Sequence, residues 1–162
     1  RLEHVVWGEV LWAATLGTVY ALIVTLVLIG FSLAGGLPLR WAGIFLALPL
    51  LFLAALAFAT LGLLFTALVP SIDHMNIPFF LVIMPLGFAS STYFPLEGDS
   101  PWTQAWLILN PLHHLAEGLR LLLLAGEWNS HLLTACGLFV LMILLLIPID
   151  ERLLRRRVLG EG

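Results

Sequence analysis

The sequence contains no lysine, and all seven of its basic residues are arginines. A phosphate-binding loop of the G-x-x-x-x-G-K-S/T type needs its lysine to contact the nucleotide phosphates. The chain therefore lacks the usual loop for binding and hydrolysing ATP. Cysteine is almost as scarce, since Cys136 is the only one. No disulfide can form within the chain, and its apolar sequence neighbours indicate a buried, inert thiol.

Charge of either sign is rare as well. Charged residues make up 10% of the sequence and hydrophobic residues 61%, and the mean hydropathy is +1.07. A soluble domain has about 25% charged and about 45–50% apolar residues. The composition therefore indicates an integral membrane protein. The net charge of −3 does not set its orientation, which depends on where the arginines lie.

Four segments are long and apolar enough to cross a bilayer, which takes about 20 helical residues. None of them contains Asp, Glu, Lys, Arg or His, and they cover about 10–34, 42–69, 77–94 and 132–149. Connections that carry proline or glycine separate them. We predict an all-α integral membrane fold with four transmembrane helices, forming one domain over residues 1–162.

Arginines directly after the last predicted span give the orientation. Arg152, Arg155, Arg156 and Arg157 follow residue 149, and positive residues beside a span favour the cytoplasmic side. Four crossings then place both termini in the cytoplasm and the stretch 95–131 outside. The tryptophans agree with this topology, because they cluster near both predicted interfaces as in an aromatic belt.

The stretch 95–126 is the only place where ionisable residues gather among apolar ones. Asn110 and Pro111 form a helix-start signal, and Gly126 is a typical helix stop, so we predict a helix over about 111–125. At roughly 100° per residue, three polar side chains fall within an arc of about 60°, with His114 just outside it. These three are His113, Glu117 and Arg120.

This polar stripe has several interpretations. His113 and Glu117 have the i, i+4 spacing of shared metal ligands, but the order differs from the HExxH pattern. No other group in the sequence obviously completes a site, so we expect neither a metal site nor a catalytic residue. A structural interpretation pairs Glu117 with Arg120 on a half-buried helix. The alternative is a polar patch at the outer mouth of a transport path, because paired ionisable groups at membrane depth are commonly functional.

Two sequence segments resemble one family of membrane transporters. GEVLWAAT at 8–15 resembles the start of the third span in membrane subunits of ABC-2 type exporters, especially the nodulation-factor exporter branch. The segment YFPLEGDSPWTQAWLILNPLHHLAEGLRLLLLAG at 93–126 resembles that family's distal pattern. The residues that fall on its familiar positions are Tyr93, Phe94, Pro95, Gln104, Pro111, Leu112, His114, Arg120 and Gly126.

The resemblance implies a six-span permease of the inner membrane that forms a homodimer, so the first two spans would lie outside this sequence. A cytoplasmic ATP-binding subunit would bind ATP and Mg²⁺ and drive export of amphipathic cargo, such as lipid-linked saccharides or drugs. The chain itself would need no cofactor. Its other partners would be membrane lipids, with no nucleic acid.

The same resemblance assigns roles to individual residues. The segment 1–9 would contact the ATPase, through Glu3, His4, Trp7 and Glu9. The stretch 95–126 would be a short re-entrant or interfacial helical hairpin before the last span. Its residues at the outer exit would be Tyr93, Phe94, Pro95, Pro111, His113, His114, Glu117 and Arg120. The outer loop reads EGDSP, which is more acidic than the link that the family usually has.

Two other functions are compatible with the residues. One is a helical membrane scaffold or assembly protein that transports nothing. The other is an intramembrane enzyme that uses the cluster of His113, His114 and Glu117. ATP hydrolysis that requires a partner subunit and is stimulated by cargo would distinguish a permease from both, whereas activity of the purified chain alone would favour the enzyme.

Overall fold

Three long apolar helices dominate the structure. The computed structural model describes residues 2–93 and 100–159, and every regular element in these two ranges is helical. Helix α1 runs Leu2–Leu33, α2 runs Trp41–Leu68 and the last helix, α6, runs Ser130–Leu159. All three are long and apolar enough to cross a bilayer. The prediction of an all-helical membrane protein is confirmed.

The predicted third span is a shorter and less regular helix. Helix α3 covers Ile72–Phe88 and contains a 3₁₀ turn at its start and a π turn at Phe79–Ile83. Pro85 lies two residues after the π turn, and in a regular α-helix its ring would clash with the carbonyl of Leu81. At 1.5 Å per residue, α3 is roughly 25 Å long, slightly shorter than a bilayer core of about 30 Å.

A helical hairpin precedes the last helix. Helix α4 covers Pro101–Leu109 and α5 covers Pro111–Arg120, which continues as a π turn over Leu121–Ala125. Gly126 ends this helix in the left-handed region, at φ 77°. The predicted helix over 111–125, with its stop at Gly126, is confirmed.

The core lies between α2 and α6, where small side chains on α2 let the helices approach closely. Phe139 is fully buried on α6 and meets the Phe58 ring edge-on, with ring centroids 6.0 Å apart. A second buried group joins these helices to the hairpin. The buried residues of the two groups are Ala54, Ala57, Ala135 and Phe139, and Ala47, Leu50, Leu122 and Leu132.

Helix α1 buries only a narrow stripe. Val6, Val10 and Ala14 recur every four residues and are almost fully buried. Along the rest of α1 large apolar side chains are exposed, and none of its most apolar stretch is buried within the described residues. Most of its surface therefore faces lipid or other helices.

The arginine-rich end of α6 and the hairpin lie at different ends of the bundle. The Arg157 guanidinium donates to Thr66 O at 2.6 Å and to Pro70 O at 3.2 Å, so the C-terminal ends of α2 and α6 lie together. The hairpin lies at the opposite end, beside the start of α2, where Arg40 N–H donates to Leu123 O at 2.8 Å. The arginine-rich tail and the polar stripe are thus at opposite ends of the bundle.

Candidate functional site

The hairpin is fixed in place by a buried asparagine at its bend. Asn110 Oδ1 accepts from Leu112 N–H at 3.0 Å, which is the helix cap predicted from the sequence. Its Nδ2 donates to Leu86 O at 2.9 Å and to Ala89 O at 2.8 Å. One side chain therefore starts α5 and ties it to the end of α3.

The other end of α5 is held by α2. The π turn leaves Leu123 O free to accept from Arg40 N–H. Gly43 lies so close to this turn that a Cβ there would be 2.4 Å from Leu122 O. Only a glycine allows the two backbones to approach this closely, so Gly43 determines how near the hairpin lies to α2.

A third link connects α5 to the first turn of α6. Asn129 Oδ1 accepts from Leu132 N–H at 3.2 Å and caps α6, while its Nδ2 donates to Gly118 O at 3.2 Å. This arrangement places His131, in the first turn of α6, over the polar stripe of α5.

Three histidines converge at this junction. His114 Nδ1 lies 3.0 Å from His131 Nδ1, and His114 Nε2–H donates to Ile108 O at 2.9 Å. His113 completes the group, and one nitrogen from each ring lies within 4.8 Å of those of the other two. We call His113, His114 and His131 the histidine cluster. His113 and His114 were predicted as site residues from the sequence, whereas His131 served only as the boundary of the outer stretch 95–131. The place of His131 just after a helix-start asparagine was a usable signal.

The surroundings of His113 shift its pKa. Burial lowers the pKa of His113 below its ordinary value, and repulsion from His114 lowers it further. The charge of Glu117 acts in the opposite direction, but burial is the largest cause. The surroundings of the ring therefore favour its neutral form.

Glu117 and Arg120 form the predicted ion pair. Arg120 Nη1 donates to Glu117 Oε1 at 2.6 Å. The Arg120 side chain is 48% exposed and that of Glu117 25%, so the pair is half-buried. Arg120 Nη2 also lies 3.4 Å from Ser91 O. The structural interpretation of the stripe is confirmed for this pair, whereas its role at an exit stays a prediction.

Ser91 faces the same stripe from the end of α3. It is buried and has φ 58°, an uncommon conformation for a residue other than glycine. Its Oγ lies 3.1 Å from His113 Nδ1. Spacing along the chain does not predict this contact, because it depends on how α3 and α5 meet.

The remaining predicted exit residues lie nearby in part. Pro111 is buried at the start of α5, whereas Tyr93 is exposed and packs on Phe88 with ring centroids 5.4 Å apart. Phe94 and Pro95 lie outside the described residues.

The predicted ATPase-coupling residues are far from the hairpin, in the first turns of α1. All four have exposed side chains, next to the buried Val6 and Val10. They are not part of one site with the histidine cluster. The four residues are Glu3, His4, Trp7 and Glu9.

One further ionisable residue has no assigned role. Asp150 of α6 is fully buried, and neither carboxylate oxygen has a hydrogen-bond partner among the described residues. A buried carboxylate without a partner is costly. Within the described residues, the Asp150 carboxylate is therefore an unsatisfied buried polar group.

The described residues form long apolar helices, and a polar hairpin precedes the last long helix. This architecture is that of an all-helical integral membrane protein. The chain belongs to the ABC-2 type transporter family, whose model matches residues 2–124. It is a membrane component of that kind of transporter, which favours a transport subunit over an enzyme.

Curated relatives support the family assignment. The chain is 31% identical over 159 residues to nodulation protein J of Rhizobium leguminosarum bv. trifolii, covering 98% of this chain and 58% of that protein. It is also 31% identical over 156 residues to nodulation protein J of Neorhizobium galegae, covering 96% and 57%. The chain thus spans somewhat more than half the length of these relatives. No solved structure matches it significantly.

Proposed function

We propose that this chain forms the permease part of an ABC exporter that moves amphipathic cargo, such as lipid-linked saccharides or drugs, outward across the inner membrane. The match to the ABC-2 type transporter family over residues 2–124 carries this proposal. The similarity to relatives named nodulation protein J supports it. A separate cytoplasmic subunit binds and hydrolyses ATP with Mg²⁺, in keeping with the absence of lysine from this chain.

The start of α1 is the proposed contact with that subunit. Glu3, His4, Trp7 and Glu9 expose their side chains there, while Val6 and Val10 hold the helix against the bundle. Coupling requires an element whose position both sites influence. Helix α1 continues unbroken from these residues to Leu33, so a displacement at its start is carried along its whole length.

Both termini are proposed to be cytoplasmic and the hairpin to face outward. The four arginines near the end of α6 support this orientation, since each is worth about 1 kcal/mol near an anionic leaflet. In a Cys136→Ala background, an impermeant thiol reagent added outside should label a cysteine at Glu127 and spare one at Arg156. The reverse pattern would contradict the orientation.

The complete permease is proposed to act as a homodimer surrounded by lipid. The large exposed apolar surface of α1 supports this assignment, because such a surface needs lipid or another helix beside it. The hairpin lines the outer exit in this proposal. Its half-buried ion pair and histidines are polar groups at that end of the bundle, and a saccharide headgroup would meet them on leaving.

Transport by the reconstituted exporter tests the proposal. The complete permease and its ATPase subunit are placed in proteoliposomes, and uptake of a short-chain lipid-linked saccharide is measured together with ATP hydrolysis. We expect hydrolysis that requires both subunits and is stimulated by the saccharide. Glu9→Lys should leave the permease in the membrane but abolish the stimulation and the transport.

Glu127→Lys is the matched control. It makes the same charge change at another exposed position, in the link before α6 at the hairpin end, and should preserve coupling. Transport at the wild-type rate in Glu9→Lys would refute the contact at α1. A permease that hydrolyses ATP by itself would refute the division of labour between the subunits.

A further inference from the structure

We propose that the histidine cluster binds a divalent transition-metal ion of the zinc type. The inference does not depend on the transport function, and it rests on three imidazole rings from α5 and the first turn of α6. Their ring centroids lie 5.2–5.8 Å apart. The group of three was not predicted from the sequence, because His131 lies one connection away from the other two.

The spacing of the nitrogen atoms suits one ion. Zinc holds imidazole nitrogens at about 2.0–2.1 Å, so two ligands in a tetrahedral site are about 3.3 Å apart. His114 Nδ1 and His131 Nδ1 are already 3.0 Å apart. The third nitrogen lies within 4.8 Å of both, so a side-chain rotation brings it into range.

The protons on the rings favour the same assignment. His114 donates Nε2–H to Ile108 O, which leaves the lone pair of Nδ1 directed at His131. A metal-binding histidine typically donates its other N–H to a carboxylate, a backbone carbonyl or water. His113 places Nδ1 against Ser91 Oγ, which leaves Nε2 for the ion. His114 therefore has the backbone-carbonyl partner that orients a metal-binding ring, and the Ser91 hydroxyl can hold the ring of His113 in a similar way.

The ligand set selects the kind of ion. Three imidazoles suit Zn²⁺, Cu²⁺ or Ni²⁺, whereas Mg²⁺ and Ca²⁺ prefer oxygen ligands. The nearby carboxylate of Glu117 is occupied by Arg120 at 2.6 Å. Three protein ligands leave a fourth position for water or another donor. A bound ion would join α5 directly to α6 and hold the hairpin against the last helix.

Cobalt binding tests the site, because tetrahedral Co²⁺ absorbs visible light and occupies zinc sites. The full chain, purified in detergent, is titrated with Co²⁺ and then with Zn²⁺. We expect one Co²⁺ per chain, displacement by Zn²⁺ and no competition from Mg²⁺. His131→Gln should weaken binding by at least about 100-fold, since changes to outer partners alone cost about 10- to 100-fold.

His74→Gln is the control, because His74 lies outside the cluster and bonds to Ser71. It should bind Co²⁺ like the wild type, and Zn²⁺ should raise Tm in both proteins but not in His131→Gln. His131→Cys should retain binding and add a sulfur-to-cobalt absorption band, which excludes misfolding as the cause of the loss in His131→Gln. Unchanged binding in His131→Gln, equal loss in His74→Gln, or no stoichiometric binding would each overturn the proposal.

Discussion

Replacing Gly43 by alanine should loosen the hairpin from α2. A Cβ at this position would lie 2.4 Å from Leu122 O and 3.0 Å from Leu122 C. An ordinary carbon-to-oxygen contact is about 3.3 Å, so the two backbones must move apart by roughly 1 Å. Because the obstacle is backbone, no rotation of a side chain relieves it.

The cost follows from the contacts that this movement disturbs. Overpacking a close contact costs about 1–3 kcal/mol. The hydrogen bond from Arg40 N–H to Leu123 O, at 2.8 Å, lies in the same contact, and its loss costs about 1 kcal/mol. Alanine recovers about 0.5–1 kcal/mol over glycine inside a helix. We therefore expect Gly43→Ala to lower the free energy of unfolding by about 1–3 kcal/mol.

Gly62→Ala provides the control within the same helix. Nothing lies within 4 Å of a Cβ there, so only the helix-propensity gain applies, and stability should be unchanged or rise by up to about 1 kcal/mol. Unfolding of both variants is measured in the same detergent, together with hydrogen exchange of the amides over 111–125. Exchange should become faster only in Gly43→Ala. Equal stability of the two variants would refute the close contact between α2 and the hairpin.

Substitutions at three other places probe the hairpin. Asn110→Ala removes the cap and leaves the carbonyls of Leu86 and Ala89, at the end of α3, without their donor. It should cost about 2–4 kcal/mol in thermal unfolding, and a loss below about 0.5 kcal/mol would contradict the anchoring role. A double-mutant cycle of Arg120→Ala and Glu117→Ala should give a coupling free energy of at most about 1 kcal/mol, as for other partly exposed pairs. A coupling above about 2 kcal/mol would show that the pair is buried in the membrane. Gly126→Ala places a Cβ on a residue in the left-handed region and should lower stability by about 1–2 kcal/mol, whereas Gly126→Asn should lower it less. Equal losses in the two variants would show that the left-handed conformation does not cause the loss of stability.

Local features of the hairpin could be predicted because they depend on neighbouring residues. Asn110 caps the helix that starts at Pro111, and Gly126 ends it in the left-handed conformation. The i, i+3 spacing brings Arg120 to Glu117 as expected. Each of these features is decided within one or two helical turns, where sequence and geometry are directly related.

The membrane class was also decided by the sequence alone. Composition and long uncharged runs predicted four spans, three of which are long helices in the structure, because a bilayer accepts only segments whose backbone bonds are satisfied internally. The full length of the third span was less predictable. Pro85 indicated a distortion, but how the helix accommodates it through a π turn depends on what packs beside it.

Only the tertiary structure decided which residues from different helices meet. His131 joins His113 and His114, and Asn110 reaches back to α3, because of how the helices are rotated and how closely they approach. In a soluble helix, an apolar stripe reveals the buried face. In a membrane helix every face is apolar, so the pattern carries little information about rotation, and packing and hydrogen bonds between helices determine it instead.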